Sequence, residues 1–148
     1  MTIVRLPIAL MATFLWIGFV GAISFMEAWL KFTAPGITIP LGLGIGRVVF
    51  EALNKVEWVM TVAIIYNLVS TKGAWKSYFN MAYFIPLILL IVQTCWMLPA
   101  LDIRAELHIQ GQHVPPSNLH FYYVALEVIK VFCLAIFGTS LFKTMPSE

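Results

Sequence analysis

Residues 119–141 read LHFYYVALEVIKVFCLAIFGTSL. The stretch is long enough to cross a hydrocarbon core as a helix, which takes about 20 residues at about 1.5 Å each. Yet Glu127 and Lys130 stand in its middle. His120, Tyr123, Glu127 and Lys130 follow a 3-4-3 spacing that places them on one helical face. Counting back about 20 residues from Leu141 puts the membrane boundary near Tyr122. Glu127 then lies about 7 Å deep and Lys130 about 12 Å deep. Each charge costs about 2.5 to 3.5 kcal/mol at a helix centre on insertion scales. Side chains that expensive face the interior of a bundle, where they pair or line a hydrated cavity. Glu127 and Lys130 have the i, i+3 spacing to pair with each other.

The rest of the chain agrees with that reading. Its 148 residues are 61% hydrophobic and 11% charged, with a mean hydropathy of +0.90. Globular domains carry about 25% charged residues, so this chain lacks the polar groups to cover a water-facing surface. Four apolar segments, residues 7–30, 47–70, 78–101 and 119–141, each supply a span. The expected fold is all-α, a four-helix integral membrane bundle forming a single transmembrane domain over residues 1–148. The lipid bilayer is its first partner. The connections read as a Gly/Pro-rich stretch (31–46), a short turn (71–76) and a polar loop (102–118). Pro86 predicts a kink in the third segment, since proline removes a backbone donor and crowds the preceding turn. A formal net charge of +2 with no basic run gives no reason to expect nucleic acid as a partner.

Arg5, the apolar run after it and the small pair Gly21-Ala22 also fit a signal peptide. The run continues to Leu30, which favours a retained first span. Arg5, Lys72, Lys76 and Lys143 collect on the face with both termini, against Glu148 alone. On the other face Lys31, Arg47 and Arg104 are offset by Glu27, Glu51, Asp102 and Glu106. The bias places both termini in the cytoplasm of a bacterial inner membrane. Cys95 and Cys133 lie at different depths, which argues against a disulfide; both read as buried small apolar residues.

The other segments bring polar groups to the depth of Glu127. The cleanly apolar part of the second segment, from Trp58 to Ser70, is too short to cross. Extending it to about 20 residues draws Asn54 and Glu57 below the boundary. Glu51 and Lys55 are equally well read as buried or as solvated among headgroups. Glu27 lies one turn below the end of the first segment, and Gln93 about 12 Å below the end of the third. Toward the termini the polar residues are chiefly Tyr66, Asn67 and Asn80. Glu27, Glu51, Asn54, Glu57, Gln93, His120, Tyr123, Glu127 and Lys130 therefore form the candidate ligand-binding set. The alternative is an ion-pair network with a structural role only.

Familiar chemistries find little support. His120 and Glu127 with Glu27, Glu51 or Glu57 are conceivable metal ligands, but the Glu-x-x-His pairs of di-iron bundles, HExxH and CxxC are all missing. His108 and His113 fall in the polar loop. No Ser-His-Asp or Cys-His arrangement is visible. Gly42, Gly44 and Gly46 precede Arg47 without a leading strand, so they read as a loop rather than a phosphate cradle.

Arg47, Val48, Leu53, Asn54 and Glu57 together resemble the helix-two signature of the MAPEG family, membrane proteins of eicosanoid and glutathione metabolism. The spacing Arg-x6-Asn-x2-Glu, the four helices and the chain length are similar. The resemblance implies glutathione as ligand at a trimer interface, held by Asn54 and Glu57 with Arg47 beside them. It covers about a dozen residues. The sequence departs from the family where a further Arg is expected, at Phe50 or Glu51, and lacks the Tyr and Arg pattern of helix three. Nothing in that family prepares for Glu127 and Lys130.

Three functions follow as expectations. The first is a polar pocket in the outer half that binds or moves a small molecule or a proton. The second is a MAPEG-type glutathione-dependent enzyme. The third is an accessory subunit of a larger membrane complex. Five tryptophans and eleven phenylalanines serve lipid or subunit contact equally well, so a homo-oligomer stays open. Most of the tryptophans, Trp16 included, read as interfacial anchors.

Overall fold

The computed structural model describes residues 4–78 and 81–142, with backbone alone at 77 and 78. Asn80, Lys143 and Glu148 lie outside the described residues. All regular structure among the described residues is helical. Helix α1 is Pro7–Thr33, α2 is Ile39–Ser70, the short α3 is Ala74–Tyr78, α4 is Met81–Ile109 and α5 is Leu119–Ser140. The long helices alternate in direction and close a ring. Helix α1 packs on α2 and α5, α5 packs on α4, and α4 packs on the start of α2.

Among the described residues α1, α4 and α5 are long and apolar enough to cross a membrane. Burial runs the opposite way from a water-soluble protein. Phe14, Leu15, Val59, Val62, Ile129 and Phe132 are exposed, while Thr13, Glu57, Gln93, Glu127 and Lys130 are buried. A bundle that turns its polar groups inward and its large apolar side chains outward suits an apolar surrounding.

Each inward stripe has helical spacing. In α1 it is Ala9, Ala12, Thr13, Trp16 and Val20, and in α5 it is Tyr123, Glu127, Lys130, Leu134 and Phe137. The small residues of α1 bring its backbone close to its neighbours. At the other side of that contact a Cβ on Gly138 would stand 3.1 Å from the Phe14 ring and 3.2 Å from the Thr13 methyl.

Two helices outrun their expected bounds. Helix α2 starts at Ile39 rather than Arg47, because Thr38 accepts the Leu41 N–H as an N-cap and Pro40 lies in the first turn. Gly42 and Gly46 are therefore helical, not loop residues. They leave room for the end of α1: a Cβ at Gly42 would run into the Phe32 ring, and one at Gly46 would stand 3.0 Å from Lys31 Nζ. Helix α4 continues eight residues past Leu101, to Ile109. Arg47 of α2 bridges Asp102 and Glu106 of α4, so the expected polar loop begins as a braced helix. At 32 residues, α2 is about 48 Å long against a hydrocarbon core of about 30 Å.

Both α1 and α4 contain a π-helical turn, at Gly21–Glu27 and Gln93–Met97. Each widened turn falls in the half of the bundle near the longer connections. Pro86 lies inside α4, which continues through it. Cys95 is exposed, not buried as expected; Cys133 is buried, and neither forms a disulfide.

Candidate functional site

Lys130 leaves the inward stripe of α5 and meets carboxylates from two directions. Its Nζ donates to Glu57 Oε1 of α2 at 2.5 Å and to Glu127 Oε1, one turn back on α5, at 2.9 Å. Side-chain exposure is 0% for all three. Helix α1 contributes Trp16, whose Nε1 donates to Glu57 Oε1 at 2.7 Å. Helix α4 contributes Gln93, the first residue of its π-helical turn, whose Nε2 donates to Glu127 Oε1 at 2.7 Å. Every long helix thus sends at least one polar side chain to a single buried cluster, and α5 sends two.

The donors are unevenly distributed. The hydrogen bonds that Lys130, Trp16 and Gln93 give to the two carboxylates all fall on Oε1. Glu57 Oε2, Glu127 Oε2 and Gln93 Oε1 are buried without a partner among the described residues, as is the Tyr123 hydroxyl. Native interiors leave few such atoms, because each unpartnered polar group costs about 1 to 3 kcal/mol. Here four surround one ion cluster. Two carboxylates face one ammonium, so the formal charge of the triad is −1.

Above the cluster, at the end carrying the longer connections, a cleft of about 920 Å³ opens between α1, α2, α4 and the start of α5. This is within the range of small-molecule sites, about 300 to 1,000 Å³. Lys31, Arg47, Arg104 and His120 line it beside Phe32 and Phe50. Its polar floor is tied together by Thr94, whose hydroxyl accepts from Asn54 Nδ2 at 2.8 Å and from Trp58 Nε1 at 3.0 Å. Tyr123 belongs to both levels. It lines the cleft, is 1% exposed, packs edge-on against Phe50 at 5.5 Å and interacts electrostatically with Glu127 and Glu57.

The nine residues singled out from the sequence divide into three groups. Glu57, Gln93, Glu127 and Lys130 form the cluster, with Tyr123 at its upper edge. Asn54 joins the cleft floor and His120 its rim. Glu27 and Glu51 take no part in the cluster, although Glu51 lines the cleft. Glu27 pairs with Lys31 of its own helix at 3.3 Å. Glu51 pairs with Lys55 at 2.7 Å on the exposed face of α2, one of the two positions the sequence allowed.

Trp16 is the member that sequence reasoning missed. It was expected as an interfacial anchor, yet it is fully buried. The available signal was its place in the Ala9, Ala12, Thr13, Val20 stripe, opposite the bulky face of α1. Thr94 was the second omission, adjacent to Gln93 but aimed at α2. Comparison with family models, curated proteins and solved structures finds no match to this chain.

Proposed function

We propose that this chain is an integral membrane protein that uses the cleft and the ion cluster beneath it to bind or move a small molecule or a proton. On this reading all four long helices cross a bacterial inner membrane, with both ends of the chain in the cytoplasm and the cleft facing the opposite side. Helix α2 crosses with the others because its charged residue at depth, Glu57, is neutralised within the bundle.

The observation that carries the reading is the unpartnered oxygen on each carboxylate of a fully buried triad, directly below an open cleft. A cluster serving only to hold helices together gains by satisfying each of those atoms, since a half-satisfied buried network is worse than an apolar core. Buried polar atoms left over, a net charge and an entrance together favour a transient occupant.

A glutathione-dependent role has one observation in its favour. Arg47 and Asn54, two of the residues behind the MAPEG resemblance, both line the cleft. Against it, Glu57 is taken up by Lys130 and Trp16.

The test is reconstitution of the full chain in liposomes enclosing a pH-sensitive dye, with native mass spectrometry of the purified protein for a retained small molecule. Proton flux or a retained molecule is expected for the natural sequence, and its loss in Glu127→Gln and Lys130→Met with helical content unchanged. Unaltered behaviour with both groups neutralised rejects the site. A thermal shift with glutathione instead selects the enzyme reading. Loss of a co-purifying membrane partner in the same variants selects an accessory subunit.

A further inference from the structure

We propose, building on the reading of cleft and cluster as one site, that the cluster binds a single exchangeable proton between the Glu57 and Glu127 carboxyls, and that the proton enters from the cleft through the Tyr123 hydroxyl. The hydrogen-bond inventory leads there. Lys130, Trp16 and Gln93 place all of their donations to the carboxylates on the two Oε1 atoms. What remains buried without a partner among the described residues is Glu57 Oε2, Glu127 Oε2 and Gln93 Oε1, together with the hydroxyls of Tyr123, Thr61 and Ser24. Within the triad the shortage is of positive charge, since two carboxylates share one ammonium. A carboxylate that takes up a proton becomes a donor itself, and the same proton brings the triad from a formal charge of −1 to zero.

Among the described residues the surroundings offer no other ion to do this. From α5 the cluster is faced by Lys130 and Tyr123, from α2 by Glu57, from α4 by the amide of Gln93 and from α1 by the indole of Trp16. His120 and Lys31 stand in the cleft above. Lys130 already balances one carboxylate, and the second has no cation of its own among the described residues.

Entry requires a group that touches both compartments, which Tyr123 does. One turn before Glu127 on α5, it lines the cleft and interacts with both carboxylates. The transfer is balanced. A hydronium in the cleft gives a proton to the Tyr123 oxygen while the Tyr123 O–H hydrogen passes to a carboxylate oxygen. Water is left in the cleft, Tyr123 is again a neutral phenol, and the carboxyl is neutral. Phe50, edge-on to the Tyr123 ring, holds the phenol in place.

Infrared spectroscopy of the full chain in lipid nanodiscs tests this without knowledge of any ligand. At neutral pH the natural sequence is expected to show a protonated carboxyl band that shifts in D2O. The band is expected to vanish in Glu57→Gln/Glu127→Gln, with helical content checked by circular dichroism. Tyr123→Phe is expected to keep the band and slow its deuterium shift. The proposal is overturned by a natural sequence without the band, by a band that survives the double substitution, or by one that sodium titrates away, which marks a metal-cation site. Deuteration unchanged in Tyr123→Phe overturns the entry route. A protein with the band but with neither proton flux nor a retained molecule keeps the proton site and loses the functional reading above. Flux or a retained molecule without the band does the reverse.

Discussion

Lys130 and Glu57 lie 73 positions apart in the chain and 2.5 Å apart in the bundle, joining α5 to α2. Both side chains are fully buried, so each depends on the other to stay charged away from water. Removing one partner of a buried pair costs about 3 to 5 kcal/mol, because the other charge is left uncompensated. Lys130→Met should lose about that much, leaving two carboxylates facing each other. Replacing the whole triad, Glu57→Gln/Glu127→Gln/Lys130→Met, should recover most of the loss. Unfolding by SDS titration in mixed micelles measures both. A triple variant no more stable than Lys130→Met would show that the cluster holds the bundle together rather than burdening it.

At the opposite end, Asn67 supplies a cap that α1 does not make for itself. Leu6 at the N-cap has no side-chain acceptor, and Asn67 Oδ1 of α2 accepts the Ala9 N–H at 2.9 Å. Asn67→Ala should cost about 0.5 to 2 kcal/mol, the usual range for a lost cap. Amide exchange should quicken in the first turn of α1 while the centre of α5 stays protected. Uniform loss of protection through the bundle would argue that Asn67 does more than cap.

The helical class and the inward turn of Glu57, Gln93, Glu127 and Lys130 could be read from the sequence because charge in an apolar run has few places to go. The Glu127–Lys130 pair follows from spacing within one helix. Its connection to Glu57 and Trp16 does not, since it depends on how α5 and α1 are rotated against α2. The same limit hid the cleft. Its walls need the extensions of α2 and α4 beyond the apolar segments, and those are set by the Thr38 cap and by Arg47 bridging to Asp102 and Glu106. Glycines at 42 and 46 looked like loop residues because their role, admitting Phe32 and Lys31, lies on a different helix.

Gly138 marks a close approach of α5 to α1. A Cβ there would meet the Phe14 ring at 3.1 Å, and a longer side chain would force the helices apart. Gly138→Leu should destabilise by about 1 to 3 kcal/mol, as overpacking does. Gly18, on the same helix as Phe14, has nothing within 4 Å of an added Cβ. Gly18→Ala should leave stability unchanged or raise it, since alanine favours helix over glycine. Thermal unfolding of the two variants side by side checks the contrast. Equal melting temperatures would mean that α1 and α5 slide to absorb the bulk.

Arg47 braces the extended ends of α2 and α4 through Asp102 and Glu106, and its side chain is 30% exposed. Ion pairs in contact with water are screened and contribute little to global stability. Arg47→Gln should therefore lower the melting temperature slightly at low salt, with the difference shrinking as salt is added. Its larger effect should be on shape, because Arg47 and Asp102 both line the cleft. Without the bridge the end of α4 is released from α2, and amide exchange from Leu101 to Ile109 should quicken while Lys130 and its neighbours stay protected. A salt-independent loss of stability, or exchange spreading to the cluster, would show that the brace and the buried triad form one cooperative unit.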